Sequence, residues 1–227
     1  MVRPQSSPDG FLLIDKPAGL TSHDVVDRVR RIFGIRRVGH GGTLDPLATG
    51  LLILMLGSST RKASDFLDAE KTYLATLRLG TMTDTQDAQG KILESRPVGS
   101  FTREQIQAVC GEFLGAIPQQ IPAYSAVRIG GVRSYALARA GREIPPRTRN
   151  VEVRELEILR IDLPDVEFRV TCSKGTYVRT LCADIGRQLG CGGHLRQLRR
   201  IRIGSITVDR AVRLDGVSAG DILPCIP

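Results

Sequence analysis

Gly39-His40-Gly41-Gly42-Thr43-Leu44-Asp45-Pro46-Leu47-Ala48-Thr49-Gly50 decides how this chain is read. Its four glycines and one proline confine the backbone and present one imidazole and one carboxylate. Glycine reaches conformations that a Cβ forbids, and proline fixes φ for the residue after Asp45. The run leads directly into Leu51-Leu52-Ile53-Leu54-Met55-Leu56. This spacing predicts an active-site loop feeding a buried strand. On spacing alone, a glycine-rich turn with a solvated aspartate fits equally well.

Outward from that loop, composition sets the frame. The 227 residues are enough for one large domain or two small ones. No apolar run approaches the length of a membrane span. Residues 1–10 lack an apolar signal core and read as a flexible leader. The five cysteines show no paired short spacing, so neither a zinc site nor a disulfide framework is expected. Reduced thiols in a reducing cytoplasm account for them.

The formal net charge is +8. Lysine occurs only at Lys16, Lys62, Lys71, Lys91 and Lys174, so the basic residues are mostly arginine, which suits phosphate and base edges. One group (Arg28, Arg30, Arg31, Arg36, Arg37) leads into the loop. A second comprises Arg128, Arg133, Arg139, Arg142, Arg147 and Arg149, and a third Arg196, Arg199, Arg200 and Arg202. Any one group reads as a solvated face. Three of them around candidate catalytic loops point to nucleic-acid phosphate. Aromatic residues make up only 4% and tryptophan is absent, which disfavours a broad stacking platform and favours a folded RNA held by its backbone.

Helical and strand periodicities alternate along the chain. Thr21 or Ser22 can cap a helix bearing Val25, Val26, Val29, Ile32 and Phe33, with Gly34 as its stop. Lys71 to Leu79 alternates as a strand with Tyr73, Ala75, Leu77 and Leu79 on one face. Thr102 to Gln105 reads as a capping box for a helix carrying Ile106, Val109 and Phe113. Val166, Phe168, Val170 and Cys172 form a period-two face. Val178, Leu181, Cys182, Ile185 and Leu189 mark a helix stopped at Gly190. Residues 119–149 stand apart, rich in Gly, Pro and Arg, with a helical patch near Tyr135. They read either as a functionless surface insertion or as a segment that orders on binding.

Several decoys fall away. Gly216-Val217-Ser218-Ala219-Gly220 fits a hydrolase elbow, but no histidine follows Ser218. Gly39-His40-Gly41 opens like a dinucleotide fingerprint, but Leu44 stands where its last glycine belongs. Asp84–Gly90 has too few carboxylates for a calcium loop.

Further blocks extend the pattern of the opening loop. They are Leu12-Leu13-Ile14-Asp15-Lys16-Pro17-Ala18-Gly19, Asp68-Ala69-Glu70-Lys71-Thr72-Tyr73, Thr83 to Gly90, Ile121 to Ala126, and Cys172 to Thr180. With the loop, and in this order from about Gly10 to the chain end, they resemble the bacterial tRNA pseudouridine synthase B family. The resemblance implies an α/β (α+β) fold: a central, mainly antiparallel mixed sheet flanked by helices, with 119–149 as an RNA-gripping thumb. It implies one catalytic domain over 11–227. No separate C-terminal RNA-binding domain is expected, because the sequence ends at Pro227 where most bacterial relatives continue.

The implied activity is isomerisation of uridine to pseudouridine at position 55 of the tRNA T loop, with base flipping, by an isomerase of the intramolecular-transferase kind. Breaking C1′–N1 and rejoining through C5 calls for a carboxylate, a cation that keeps it ionised, and a group that takes the C5 proton. By resemblance these are Asp45, Arg179 and Tyr73, with Tyr73 also stacking on the target uracil. Whether Asp45 attacks the sugar or removes a proton stays open. His40 is implied in rearranging the loop as the base leaves its stack, Tyr177 and Leu198 in lining the pocket, and Lys16 in supporting the loop.

Read without the resemblance, Arg179 is a structural arginine, Tyr73 a core tyrosine, Lys16 a surface lysine and His40 an acid/base candidate. The tRNA T stem-loop is the expected partner. No metal, cofactor, membrane or obligate protein partner is expected, and the expected location is cytoplasmic. Competing readings are the same chemistry on another RNA, including guide-directed modification, an RNA-binding protein without turnover, and a hydrolase built on Ser218. One departure stands inside the loop: Gly41 replaces a Thr or Ser that the family usually has.

Overall fold

A computed structural model describes residues 8–125 and 127–226. In chain order the elements begin with β1 (Gly10–Lys16), α1 (Ser22–Phe33), β2 (Val38–His40), β3 (Thr49–Leu56), α2 (Ala63–Asp68) and β4 (Lys71–Leu79). Then come β5 (Thr81–Thr83), β6 (Ile92–Ser95), α3 (Arg103–Gly111), β7 (Gly115–Gln120), β8 (Arg128–Ile129), β9 (Val132–Arg133) and α4 (Ser134–Arg139). The chain finishes with β10 (Thr148–Asp162), β11 (Asp165–Cys172), α5 (Val178–Gln188), β12 (Gly193–Ile203), β13 (Ile206–Thr207) and β14 (Val212–Arg213). The architecture is mixed α/β on mainly antiparallel sheet structure, as expected; β1–β14 and β3–β12 are parallel. The first seven residues of the expected leader and Ala126 lie outside the described residues, as do the side chains of Arg133 and Arg139. The first strand already begins at Gly10, the last residue of the expected leader.

The chain divides into two compact units, residues 1–73 with 198–227, and residues 74–197. In the first, the strand order is β14-β1-β3-β12, with β2 on β3 and β13 on β12. β3 runs antiparallel to β1 from Gly10↔Leu56 to Lys16↔Gly50. Its six apolar residues, Leu51 to Leu56, are all fully buried because both faces of the strand are covered. Leu52, Leu54 and Leu56 pack with Leu12, Ile14 and the Val25, Val26 and Val29 stripe of α1. Leu51, Ile53 and Met55 pack with Phe11, Leu13, Phe66, Ile203 and Ile206 on the other face.

α1 starts where the sequence signals it. Thr21 accepts from the Asp24 N–H while Asp24 accepts from the Thr21 N–H, a reciprocal capping box. It ends at Gly34 in the left-handed conformation (φ 63°).

In the second unit the strand order is β4-β11-β10-β7. Val166, Phe168, Val170 and Cys172 of β11 are buried in alternation, as the period-two pattern predicts. α3 carries the expected Thr102–Gln105 capping box. The segment expected over 119–149 starts inside β7 and ends inside β10, paired Thr148↔Gln120 and Arg149↔Gln119. The β8–β9 hairpin and α4 lie between them.

Candidate active site

In the first unit, β2 and β3 place the glycine-rich loop at one end of the buried strand. The ladder pairs His40 with Leu54 and continues as Gly41 N–H to Ile53 O at 2.9 Å. A Cβ on Gly41 would stand 2.5 Å from the Phe66 Cβ, so Phe66 occupies the space that a side chain at this position would need.

Ser22, 2% exposed in the first turn of α1, clamps the far side of the loop. Its Oγ accepts from the Leu44 N–H at 2.8 Å and lies 3.2 Å from the Leu44 carbonyl that it donates to. Asp45 follows, half-buried, in a turn closed by Ala48 N–H to Asp45 O at 3.0 Å. Pro46 O then accepts from Gly19 N–H at 2.8 Å.

Two buried cations, Lys16 and Arg200, bond this loop, and a third, Lys71, lies close to Gly42. Lys16 is fully buried at the end of β1, and its Nζ donates to Pro17 O (2.8 Å), Leu20 O (2.6 Å) and Pro46 O (3.5 Å). The surface reading of Lys16 is therefore excluded, and its contact with Pro46 fits loop support. Burial pushes its ammonium down to about 8, and the Asp45 charge opposes that fall. Lys71, also buried, donates to Leu67 O and Ala69 O.

Arg200, 1% exposed, lies on β12 where the strand pairs with Gly50. Its Nη2 donates to Gly42 O (3.0 Å), Nη1 to Thr43 O (3.4 Å) and Nε to Leu51 O (2.8 Å). Burial lowers its pKa, and hydrogen bonding to the Tyr73 side chain opposes that. Tyr73 is thus both a core tyrosine, 9% exposed, and a phenol tied to the loop's own cation.

His40 accepts from the Gly42 N–H at Nδ1 (3.3 Å), which leaves the proton of the neutral ring on Nε2. Burial, then the nearby Arg200 and His23, lower its pKa, so the ring is neutral at pH 7. A neutral, loop-bonded imidazole fits positioning better than proton transfer. Leu198, buried, is joined to the loop's last residues through Thr49 Oγ1 on its carbonyl (3.4 Å).

The second unit holds the other expected residues. Arg179, 5% exposed in the first turn of α5, donates to Tyr124 O at 2.6 Å and lies 3.9 Å from the carboxylate of buried Asp87. Tyr177 caps that helix without a side-chain cap of its own. The buried Gln119 amide brackets it instead, accepting from Tyr177 N–H (2.7 Å) and donating to Tyr177 O (3.1 Å). Arg149 and Arg179 lie over the Tyr177 ring at 5.7 and 5.5 Å.

Sequence reasoning missed Ser22, Gln119, Asp87 and above all Arg200. Within the third arginine group, read as a phosphate surface, only Arg200 is buried, and the other three are part-exposed and held in ion pairs. Arg196 pairs with Asp165, Arg199 with Asp15, Arg202 with Glu70, and Arg200 with the loop. One signal was available: Arg200 is two residues beyond Leu198 on a strand and so shares its face. Of the decoys, the Ser218 hydroxyl donates to Asp221 in a capping box (2.8 Å). Among the described residues no cluster could hold a metal ion, and no helix is long and apolar enough to cross a membrane.

Comparisons with known proteins bear on this geometry. A model described as the TruB family pseudouridylate synthase N-terminal domain matches residues 30–178. One described as the tRNA pseudouridylate synthase B C-terminal domain matches residues 179–221. A tRNA pseudouridine synthase B of Burkholderia lata is 50% identical over 218 residues, 96% of this chain and 67% of that protein. That of Syntrophotalea carbinolica is 46% identical over 209 residues, covering 92% and 68%. Among solved structures, a Cbf5-Nop10-Gar1 complex aligns at TM-score 0.74 and 32% identity over 98% of this chain and 62% of that one. An H/ACA RNP bound to a substrate RNA containing 2′-deoxyuridine aligns at TM-score 0.70 and 31% identity, over 94% and 54%. The chain therefore spans about two thirds of its curated relatives and between half and two thirds of those solved chains.

Proposed function

The chain belongs to the TruB family of pseudouridylate synthases, and on that footing we propose that it isomerises uridine to pseudouridine in tRNA, at position 55 of the T loop. Asp45 is the carboxylate that acts at the target nucleotide, as nucleophile or as base. Arg179 is the cation that keeps it ionised, and Tyr73 stacks on the uracil and takes the C5 proton. His40 and Lys16 hold the loop, Tyr177 and Leu198 line the pocket, and the 119–149 segment grips the RNA. The enzyme works in the cytoplasm.

The observation that carries this reading is the support around Asp45. A half-buried carboxylate sits on a loop whose carbonyls are bonded by Arg200 and Lys16 and whose Leu44 amide is bonded by Ser22. A solvated turn needs no such scaffold, whereas a carboxylate that must meet C1′ and the base at fixed distance does. The reaction leaves the composition of the nucleotide unchanged: C1′–N1 breaks, C1′–C5 forms, the C5 proton leaves and N1 takes one up. Its demands are therefore a placed carboxylate, a proton acceptor and room for a flipped base.

The exposed arginines Arg142 and Arg147 of the insertion fit a phosphate grip. The guide-directed alternative has one observation behind it, the likeness to the chain in an H/ACA RNP. The identity to the tRNA pseudouridine synthase B relatives is higher, 50% against 31%.

An unmodified tRNA transcript, treated with the protein alone and mapped for pseudouridine by carbodiimide-dependent primer stops, tests both points. One new stop at position 55 without any guide RNA is the expected result. A stop elsewhere, or one that appears only with added guide and partner proteins, contradicts the proposed target.

A further inference from the structure

Arg200 supports the loop but has no assigned role at the reacting atoms, and its side chain is as deeply committed to the loop region as that of Lys16. Arg200 is 1% exposed and one of the largest fully buried side chains in the protein. Burying a guanidinium is costly unless every donor finds a partner. Here the donors reach Gly42 O, Thr43 O and Leu51 O, and the Tyr73 side chain supplies another bond.

Two of those carbonyls lie in the turn just before Asp45, and the phenol is the proposed C5 proton acceptor. The backbone of Arg200 is fixed as well, because β12 pairs with β3 at Arg200↔Gly50. At Gly50 (φ 96°) a Cβ would stand 2.2 Å from Arg200 O, so the contact is close enough to require glycine.

We infer that Arg200 is a positioning residue of the site, one guanidinium that fixes the Asp45 turn and the Tyr73 hydroxyl in a common frame. The inference rests on the proposed roles of Asp45 and Tyr73. Lysine cannot replace it. An ammonium has three donors radiating from one atom, whereas these acceptors are met by three separate nitrogens of a planar fork.

The test compares native protein, R200K, Y73F and the double variant on an unmodified T-arm hairpin, by single-turnover conversion, RNA affinity and thermal unfolding. R200K is expected to lose about 100-fold or more in conversion rate, with RNA affinity held within about threefold. The R200K and Y73F losses are expected to combine to less than their product, because they act through one unit.

Conversion by R200K within about threefold of native overturns the inference, as does a loss matched by lost affinity or folded fraction, or losses that multiply. Should R200K fail to fold, Y73F compared with native protein still decides. The Arg200 Nε–H resonance, protected by Leu51 O, must shift in Y73F; an unmoved resonance overturns the shared frame. If native protein itself does not convert the hairpin, the proposed reaction has failed rather than this role for Arg200.

Discussion

Lys16 carries an ammonium into a fully buried position beside Asp45, and its chemistry follows from that one placement. Burial brings its pKa down to about 8, against 10.5 for a free lysine. Below pH 8 the charge is present and holds Pro17, Leu20 and Pro46; above it the charge is lost. Conversion should therefore show an alkaline limb with a midpoint near pH 8, and K16M, already neutral, should be slow and lack that limb.

Stability moves in the opposite sense. Between pH 8 and 10.5 the unfolded chain binds the proton that folded Lys16 has released, so this group's contribution to stability rises with pH across that window. The midpoint of denaturation for native protein, measured against K16M, should gain across the same interval. A gap that stays constant would contradict the burial.

At the scale of elements, β3 and its neighbours decide where the loop stands. β3 was legible because six consecutive apolar residues allow little else. α1 was legible because Thr21, Asp24 and Gly34 are cap residues at cap spacing around a valine stripe. β12 was not. His194, Arg196, Arg199, Arg200 and Arg202 look like a charged surface run, and only pairing with β3 and with scattered carboxylates turns four arginines inward or into ion pairs. Those partners are far away in sequence, with separations of 31 for Arg196–Asp165, 132 for Arg202–Glu70 and 184 for Arg199–Asp15. Local periodicity cannot register them.

The same holds for Lys16, whose acceptors are backbone carbonyls that carry no residue signature. Asp45 itself was legible as a loop residue, but its catalytic role came from resemblance and remains a proposal. Gly50→Ala probes the β3–β12 junction directly. The added Cβ meets Arg200 O at 2.2 Å at a backbone φ of 96°. A loss of about 3 kcal/mol or more in unfolding free energy is expected. A loss below about 1 kcal/mol would show that the strands can part without cost.

At the scale of the whole molecule, the net charge of +8 is unevenly available to a partner. In the third arginine group Arg200 is buried, and Arg196, Arg199 and Arg202 are part-exposed and paired with Asp165, Asp15 and Glu70. Arg142 and Arg147 of the second group are exposed. Replacing both with alanine should weaken tRNA binding and flatten the dependence of log affinity on log salt by about 1.4–1.8 in slope. R196Q, which loses a partner of Asp165 rather than a phosphate contact, should leave the slope unchanged. A slope reduced by R196Q and untouched by the double alanine variant would return the third group to the RNA surface.

The central claim is that Asp45 does chemistry rather than shape a turn. The direct measurement is single-turnover pseudouridine formation on an unmodified T-arm hairpin by native protein and by D45N, with hairpin affinity measured for both. Conversion by native protein, none by D45N, and affinity that agrees within about threefold is the predicted result. Conversion by D45N at a rate comparable to native, or equal binding with no conversion by either protein, contradicts it.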